Sequence, residues 1–361
     1  MRLTDELIYF WLSTVDGIGS KKRNLMLEKH PELTALAADF NAGAAFYSKL
    51  LGADVYNRAR HALDAAYLDK ELRAITDLGI GIITPSSDSY PAQLKEIYDY
   101  PSVLYYIGDP GLMKTRCVSV VGTRKPSAYG ERITKKFVDT LSHSGLTVVS
   151  GLATGIDAYA HLQALESGGK TIAVLGSGLK RITPANHSAL AAKVADGGLL
   201  LSEYEPYFAG AGYSFPQRNR IISGLSEAVL VIEAGEKSGA LITAECALEQ
   251  NRQLFVLPGN ADSAMSQGTL NLIRKGQCAM VHKAEHILED LNIAVTPKYK
   301  VSGIQFDFTE AKILDLLEAS ELNYDRILEA VELPVNDLSN LLMLMELKGL
   351  VIKRGNLFYK A

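Results

Sequence analysis

The chain has 361 residues, a formal net charge of -4 at pH 7, 47% hydrophobic and 22% charged residues, a globular balance with length for two or three domains. No long uncharged apolar run is present, Asp5 and Glu6 stand where a signal peptide needs apolar or basic residues, and the three cysteines (Cys117, Cys246, Cys278) lack C-x-x-C spacing. A transmembrane helix and a disulfide framework are therefore not expected, and a cytoplasmic location is. Charge is uneven: from Ser302 to Ala361 there are ten acidic and six basic residues, which leaves 31 of each before Ser302. A neutral body with an acidic tail does not announce a nucleic acid by bulk charge, so any anion site must be local.

Residues 1–84 read as a helical N-terminal domain, with Gly breaks at GIG and LLGAD. GIGSKKR, a Gly-x-Gly turn followed by basic residues, has the form of a helix-hairpin-helix element, with plain helix packing as the alternative reading. Residues 85–112 are rich in Pro and Tyr and read as an extended lead-in that packs against something, being too apolar for a flexible linker. A different rhythm follows. Short continuous apolar runs (CVSVVG, LTVVSG, TIAVLG, GLLLSE, AVLVIEA, QLFVLPG, CAMV) alternate with helical stretches such as AYGERITKKFVDTLSHSG. Runs of this kind fit strands buried on both faces of a parallel sheet, and repeated βα units build a doubly wound, Rossmann-like α/β domain, here to residue 291. A polar joint at 292–304 precedes residues 305–361, where three helical segments and a hairpin with a Gly-Asn turn read as a winged helix.

Ligands of open α/β sheets bind outside the carboxyl ends of the strands. Nearly every predicted strand here ends in Gly or Ser and often opens a helix, an arrangement that lets backbone N–H groups approach an anion. The basic residues near these loops are Arg124, Arg218, Arg220 and Lys237, the last beside Ser238 and Gly239. Arg218 and Arg220 flank Asn219 and are two apart, so they cannot share one helix face. One is expected to read a phosphate and the other to pair with an acid, Glu203 or Glu233. The chain lacks G-x-G-x-x-G after the first strand, a Walker A loop and a G-x-S-x-G elbow. His282 and His286 read as a solvated helix face rather than a metal site. Asp157 reads as a cap or first-turn residue. The predicted third helix of the winged segment, NDLSNLLMLMELKGL, carries Asp337 and Glu346 with Lys348, Lys353 and Arg354 close by. A phosphate-tracking surface would be more basic, so this module is read as a protein-contact or packing module.

In order, VVGTRKPSAYG, VVSGLATGIDAYAH, AVLGSGL, LLSEY, FPQRNRIISGLS, KSGALITAECALEQNR and FVLPG resemble the DprA/Smf family of DNA-processing proteins of bacterial natural transformation. The resemblance spans about residues 85–280. It implies a Rossmann-like domain flanked by a helical (SAM/helix-hairpin-helix-like) N-terminal domain and a C-terminal winged helix. It also implies a cofactor-free, non-enzymatic protein that binds single-stranded DNA, protects incoming DNA and helps load the RecA recombinase, as a homodimer. By motif match the implied DNA contacts are Arg124, Arg218, Asn219, Arg220 and Lys237, with Gly122, Ser150, Gly151, Gly176, Ser238 and Gly239 shaping the pocket. Where members commonly have Tyr-Pro after GSGL, this chain has Ile182-Thr183-Pro184, without an aromatic for base stacking. The rival reading is an enzyme resembling nucleotide phosphoribohydrolases of the lysine-decarboxylase-like group. Their P-G-G-x-G-T-x-x-E stretch corresponds here to EKSGALITAE, with Glu245 but without the paired glycines.

Overall fold

The computed structural model describes residues 3–30, 32–294, 308–331, 333–347 and 350–360. From residue 295 the expected joint at 292–304 lies outside the described residues, as do 305–307. The chain divides into two compact units, Met1–Pro297 and Lys298–Ala361. No helix among the described residues is long and apolar enough to cross a membrane.

The first unit begins with α1 (Asp5–Thr14), α2 (Ser20–Lys29), α3 (Leu33–Ala42), α4 (Ala44–Leu51), α5 (Ala53–Ala62) and α6 (Ala65–Asp77). The Thr4 hydroxyl accepts from the Leu7 amide at 3.3 Å and Asp5 and Glu6 occupy the first turn of α1, favourable placements at a helix start. Leu7, Ile8, Trp11 and Leu12 then fall on one buried face. Trp11 packs edge-on against Phe40 at 4.9 Å and donates its indole N–H to the Ala59 carbonyl at 2.8 Å. The turn at Gly17–Gly19 joins two helices as expected, but its basic residues are largely occupied by the protein itself. Lys22 donates to the carbonyls of Gly17 and Leu51 (3.1 and 3.3 Å), and Arg23 is buried with its guanidinium 4.3 Å from the Tyr100 ring centre. Only Lys21 of the three is left exposed, which favours packing over phosphate binding for this element.

A nine-stranded sheet follows. Its strands are β1 (Gly81–Ile83), β2 (Leu104–Gly108), β3 (Cys117–Val121), β4 (Thr147–Ser150), β5 (Thr171–Leu175), β6 (Leu199–Ser202), β7 (Ala228–Val231), β8 (Gln253–Val256) and β9 (Ala279–Met280). The helices among them are α7 (Ala92–Lys95), α8 (Ala128–His143), α9 (Ile156–Glu166), α10 (Ser188–Gly197), α11 (Ser214–Gly224), α12 (Gly239–Glu249), α13 (Gln267–Arg274) and α14 (Ala284–Asp290). The strand order is β1-β2-β6-β5-β4-β3-β7-β8-β9. β3 to β9 are the seven apolar runs read from the sequence, all parallel, with Val118 beside Val148 and Val120 beside Leu230. The lead-in contributes more than an extended connection: β2 pairs antiparallel with β6 and with β1, which lies before residue 85.

One face of the sheet packs α11, α12 and α13 through Ile221, Ile222, Ala240, Ala244 and Leu272. The other packs α8, α9 and α14 through Phe137, Leu141, Ile156, Ala160 and Ile287. The chain runs outward from β3 to one side, then returns to start β7 on the other side of β3. That reversal opens a crevice between the loops after β3 and β7, where an α/β sheet places a ligand.

In the second unit, α15 (Phe308–Ala319), β10 (Leu322–Asn323), α16 (Tyr324–Val331), α17 (Val335–Leu347), β11 (Val351–Arg354) and β12 (Leu357–Lys360) form the expected winged helix, with strand order β10-β12-β11. Its core is Ile313, Leu317, Ile327, Leu338, Leu342 and Phe358. On and beside α17, Val335, Met343, Leu344, Asp337 and Glu346 are exposed. Lys348 and the Arg354 side chain lie outside the described residues.

Candidate functional site

A pocket of about 710 Å³ occupies the crevice between the loops after β3 and β7, a size ordinary for a ligand site. Its wall includes Gly122, Arg124, Arg218, Asn219, Lys237, Ser238 and Gly239. Seven of the eleven residues expected at a site are thus brought to one place, from three separate segments. Four cationic side chains (Arg124, Lys125, Arg218, Lys237) face two carboxylates (Asp157, Glu236) across it. Arg124, Lys125 and Lys237 are exposed and form no ion pair among the described residues. At the pocket edge α12 opens with Ser238 as its cap, the hydroxyl accepting from the Ala240 amide at 3.3 Å. A helix start there adds positive partial charge.

The loop carrying Arg124 is fixed from two sides. The Thr123 amide donates to the Glu233 carbonyl at 2.7 Å, and the Glu233 carboxylate accepts from the Ser127 amide (2.9 Å) and hydroxyl (2.6 Å). Glu233 therefore ties the β3 and β7 loops together and is not the acid that neutralises an arginine. On the other side, Gly155 has φ +85, and a Cβ there would lie 2.9 Å from the Arg124 Cα. Only glycine lets α9 begin this close to the loop.

The two arginines of α11 are both braces. Arg218 is 5% exposed. Its Nη1 donates to the Gly151 carbonyl at 2.6 Å and to the Val174 carbonyl, and its Nε donates to the Asn219 side-chain oxygen at 3.2 Å. Beside it Asp157, on the first turn of α9, accepts from the amides of Gly151 (3.1 Å) and Ala153 (3.4 Å). Burial pushes the Asp157 carboxyl up while Arg218 pulls it back, and burial draws the Arg218 guanidinium down to about 10. Burial opposes both charges, and each offsets the other through its field. Gly151 is required by this contact, since a Cβ there would lie 2.6 Å from the Arg218 Cζ. Arg220 faces away from the pocket. Its Nη2 donates to both Glu203 oxygens (2.7 and 2.6 Å) and its Nε lies 3.0 Å from Asp99. Of the two acids named from the sequence, Glu203 is the partner.

The remaining expected residues act from behind. The Ser150 hydroxyl donates to the Val120 carbonyl at 2.7 Å, joining β4 to β3. Gly176 packs against Phe215, and its carbonyl accepts from the Ser214 hydroxyl at 2.6 Å. The wall residues Met265 and Gln267 lie outside the motifs read from the sequence, while Lys125, Phe215 and Pro216 lie inside them without being among the expected contacts. Thr243 also lines the pocket, whereas Glu245, the acid of the enzyme reading, is exposed and lies off the wall.

His161 lies fully buried behind the Arg218–Asp157 pair. The Thr171 hydroxyl gives its proton to the Val148 carbonyl at 2.8 Å, so the contact between His161 Nδ1 and Thr171 Oγ1 at 2.7 Å needs the proton on Nδ1. Nε2 is then a lone pair without a partner among the described residues. Burial first, then the charges of Arg218 and His187, press the imidazole down to about 3.

These assignments separate stability from binding. Arg218→Ala removes the positive charge beside the buried Asp157 and the donor to the Gly151 and Val174 carbonyls, and is expected to destabilise the protein by about 3–5 kcal/mol. Arg124→Ala and Lys237→Ala, on exposed groups, should change stability by less than about 0.5 kcal/mol. Urea denaturation of the three variants checks this contrast. For His161 the folded value lies below the unfolded one, so its contribution is intact above pH ~6.5 and is lost as pH falls toward 3, because the unfolded chain takes up the proton. Between pH 7 and 4.5 the wild type should lose about 2–3 kcal/mol more than His161→Leu, read from urea midpoints at both pH values.

Comparisons with known proteins agree with this architecture. The family profile of DNA recombination-mediator protein A matches residues 81–292, and that of the DprA winged helix domain matches 307–354. Protein Smf of Escherichia coli is 46% identical over 215 residues, which are 59% of this chain and 57% of that protein. DNA processing protein DprA of Bacillus subtilis is 43% identical over 225 residues, 62% of this chain and 75% of that protein. The structure of DNA processing protein A from Streptococcus pneumoniae superimposes with a TM-score of 0.68 at 34% identity, covering 80% of this chain and 99% of that one. A structure from Helicobacter pylori, determined to describe the single-stranded DNA binding mode of its DNA processing protein A, gives 0.54 at 32% identity over 59% of this chain and 95% of that one. On the match of more than half its length to that profile, the chain belongs to the DNA recombination-mediator protein A (DprA/Smf) family.

Proposed function

We propose that this protein binds single-stranded DNA in the switch-point pocket and acts in DNA processing during transformation. The observation that carries the reading is the set of exposed cations, Arg124, Lys125 and Lys237, without ion pairs among the described residues, around a pocket that also contains the start of α12. Phosphate groups match unpaired cations and free amides, and a single strand leaves its bases able to enter a pocket that a duplex cannot fill. The single-stranded DNA binding described for the Helicobacter pylori relative supports the same assignment. Arg218, Asn219, Ser238 and Gly239 shape the wall, and Arg220 acts by holding α11 in place.

The wider role is the protection of incoming DNA and assistance in loading the RecA recombinase, by a homodimer in the cytoplasm and without catalysis. The exposed Met343 and Leu344 and the acidic Asp337 and Glu346 on α17 fit a winged helix that meets protein rather than DNA phosphates.

Titration of a labelled single strand across a salt series tests the DNA site. The log–log slope should be negative, and each of Arg124→Ala and Lys237→Ala should reduce its magnitude by about 0.7 while weakening binding on all sequences. Unchanged affinity and slope in both variants would place the strand elsewhere.

A further inference from the structure

Beside the pocket, the connection from β6 to α11 exposes two large rings that the folded core does not use. Tyr207 and Tyr213 are 63% and 62% exposed. Their loop is nonetheless held along both arms. The Phe208 carbonyl accepts from the Gly178 amide and the Pro206 carbonyl from the Lys180 amide, each at 2.8 Å. The Thr183 hydroxyl donates to the Ala209 carbonyl at 3.3 Å, and the Ser214 hydroxyl accepts from the Ala211 amide at 2.9 Å. Inside the loop, Tyr204 and Phe208 stack at 4.8 Å. Rings held on a fixed loop yet left in water are poised for a partner that supplies flat apolar faces.

The loop leads directly into the pocket wall, because Phe215 and Pro216 follow Tyr213 by two and three residues and line the pocket. Charge at this place also favours an anionic chain. Lys180 and Arg181, on the β5 loop that the Tyr loop grips, are exposed and form no ion pair among the described residues. One of the two acids of the segment is neutralised within the fold. Glu203 is bound to Arg220, so the exposed Glu205 is the acid of the loop that Lys180 and Arg181 must outweigh.

We propose that the 203–213 loop is a base-stacking subsite for the strand as it leaves the pocket, with Tyr207 and Tyr213 as the platforms and Lys180 and Arg181 on the phosphates. Stacking accepts any base, since each has a π-face, so the subsite adds affinity without sequence preference. This inference rests on the single-stranded DNA reading of the pocket.

The test uses the full chain and two fluorescent oligonucleotides of equal length, one of thymidine and one of abasic sugar-phosphate units that keep the charge and lack the bases. The Tyr207→Ala/Tyr213→Ala variant should bind the thymidine strand about tenfold or more weakly, bind the abasic strand like the wild type, and keep the wild-type salt slope. Tyr207→Phe/Tyr213→Phe, which keeps both rings, should match the wild type on both strands. Wild-type affinity of the alanine variant for thymidine, while Arg124→Ala loses binding, would overturn the subsite and leave the pocket reading intact. Equal loss on both strands would overturn stacking as the cause. Failure of the wild type to bind either strand would overturn both readings.

Discussion

The Arg218 guanidinium, almost without access to water, joins the ends of β4 and β5 to the helix that forms one side of the pocket. Its Nη1 is shared between the Gly151 and Val174 carbonyls, and Asp157 supplies the compensating charge while holding the loop ahead of α9 through two amides. Other choices follow from that placement. Residue 151 must lack a side chain, and His161 behind the pair must stay neutral. A buried cation of this kind adds little net stability, yet removing it takes the positive charge from beside the buried Asp157. It therefore fixes the geometry of the crevice more than it strengthens the fold.

Bracing and binding are divided among the basic residues by burial. Arg218 and Arg220 lie inside, and Arg124, Lys125 and Lys237 stand exposed at the rim. Arg220 also connects α11 to the lead-in segment through Asp99. Close by, Arg23 of α2 donates to the Ser102 hydroxyl at 2.7 Å and lies over Tyr100. The helical N-terminal region thus leans on the segment that steadies the pocket helix, which gives Arg23 of GIGSKKR a structural task.

Much of this was legible from residue pattern. The seven parallel strands are continuous apolar runs because both faces are covered, and that signal survives without any structure. β1 and β2 were not visible: they are short, antiparallel and set among Pro and Tyr, so composition and strand length both argue for a loop. The spacing of Arg218 and Arg220 correctly placed them on different faces of α11, but spacing cannot tell which faces are buried, and both are. Met265 and Gln267 reach the pocket through the fold rather than through a motif, and the exposed tyrosines of the 203–213 loop depend on how that loop is pinned. Ile182 offers no aromatic ring, and the rings one loop away could be placed only by the hydrogen bonds between the two loops.

Photo-cross-linking of a single strand carrying 4-thiothymidine, followed by peptide mapping by mass spectrometry, tests the central claim most directly. The account predicts cross-links within residues 122–126, 213–219 and 235–243, around the switch-point pocket. Cross-links confined to the winged helix at 308–360, or to α2 and the turn before it, would contradict it.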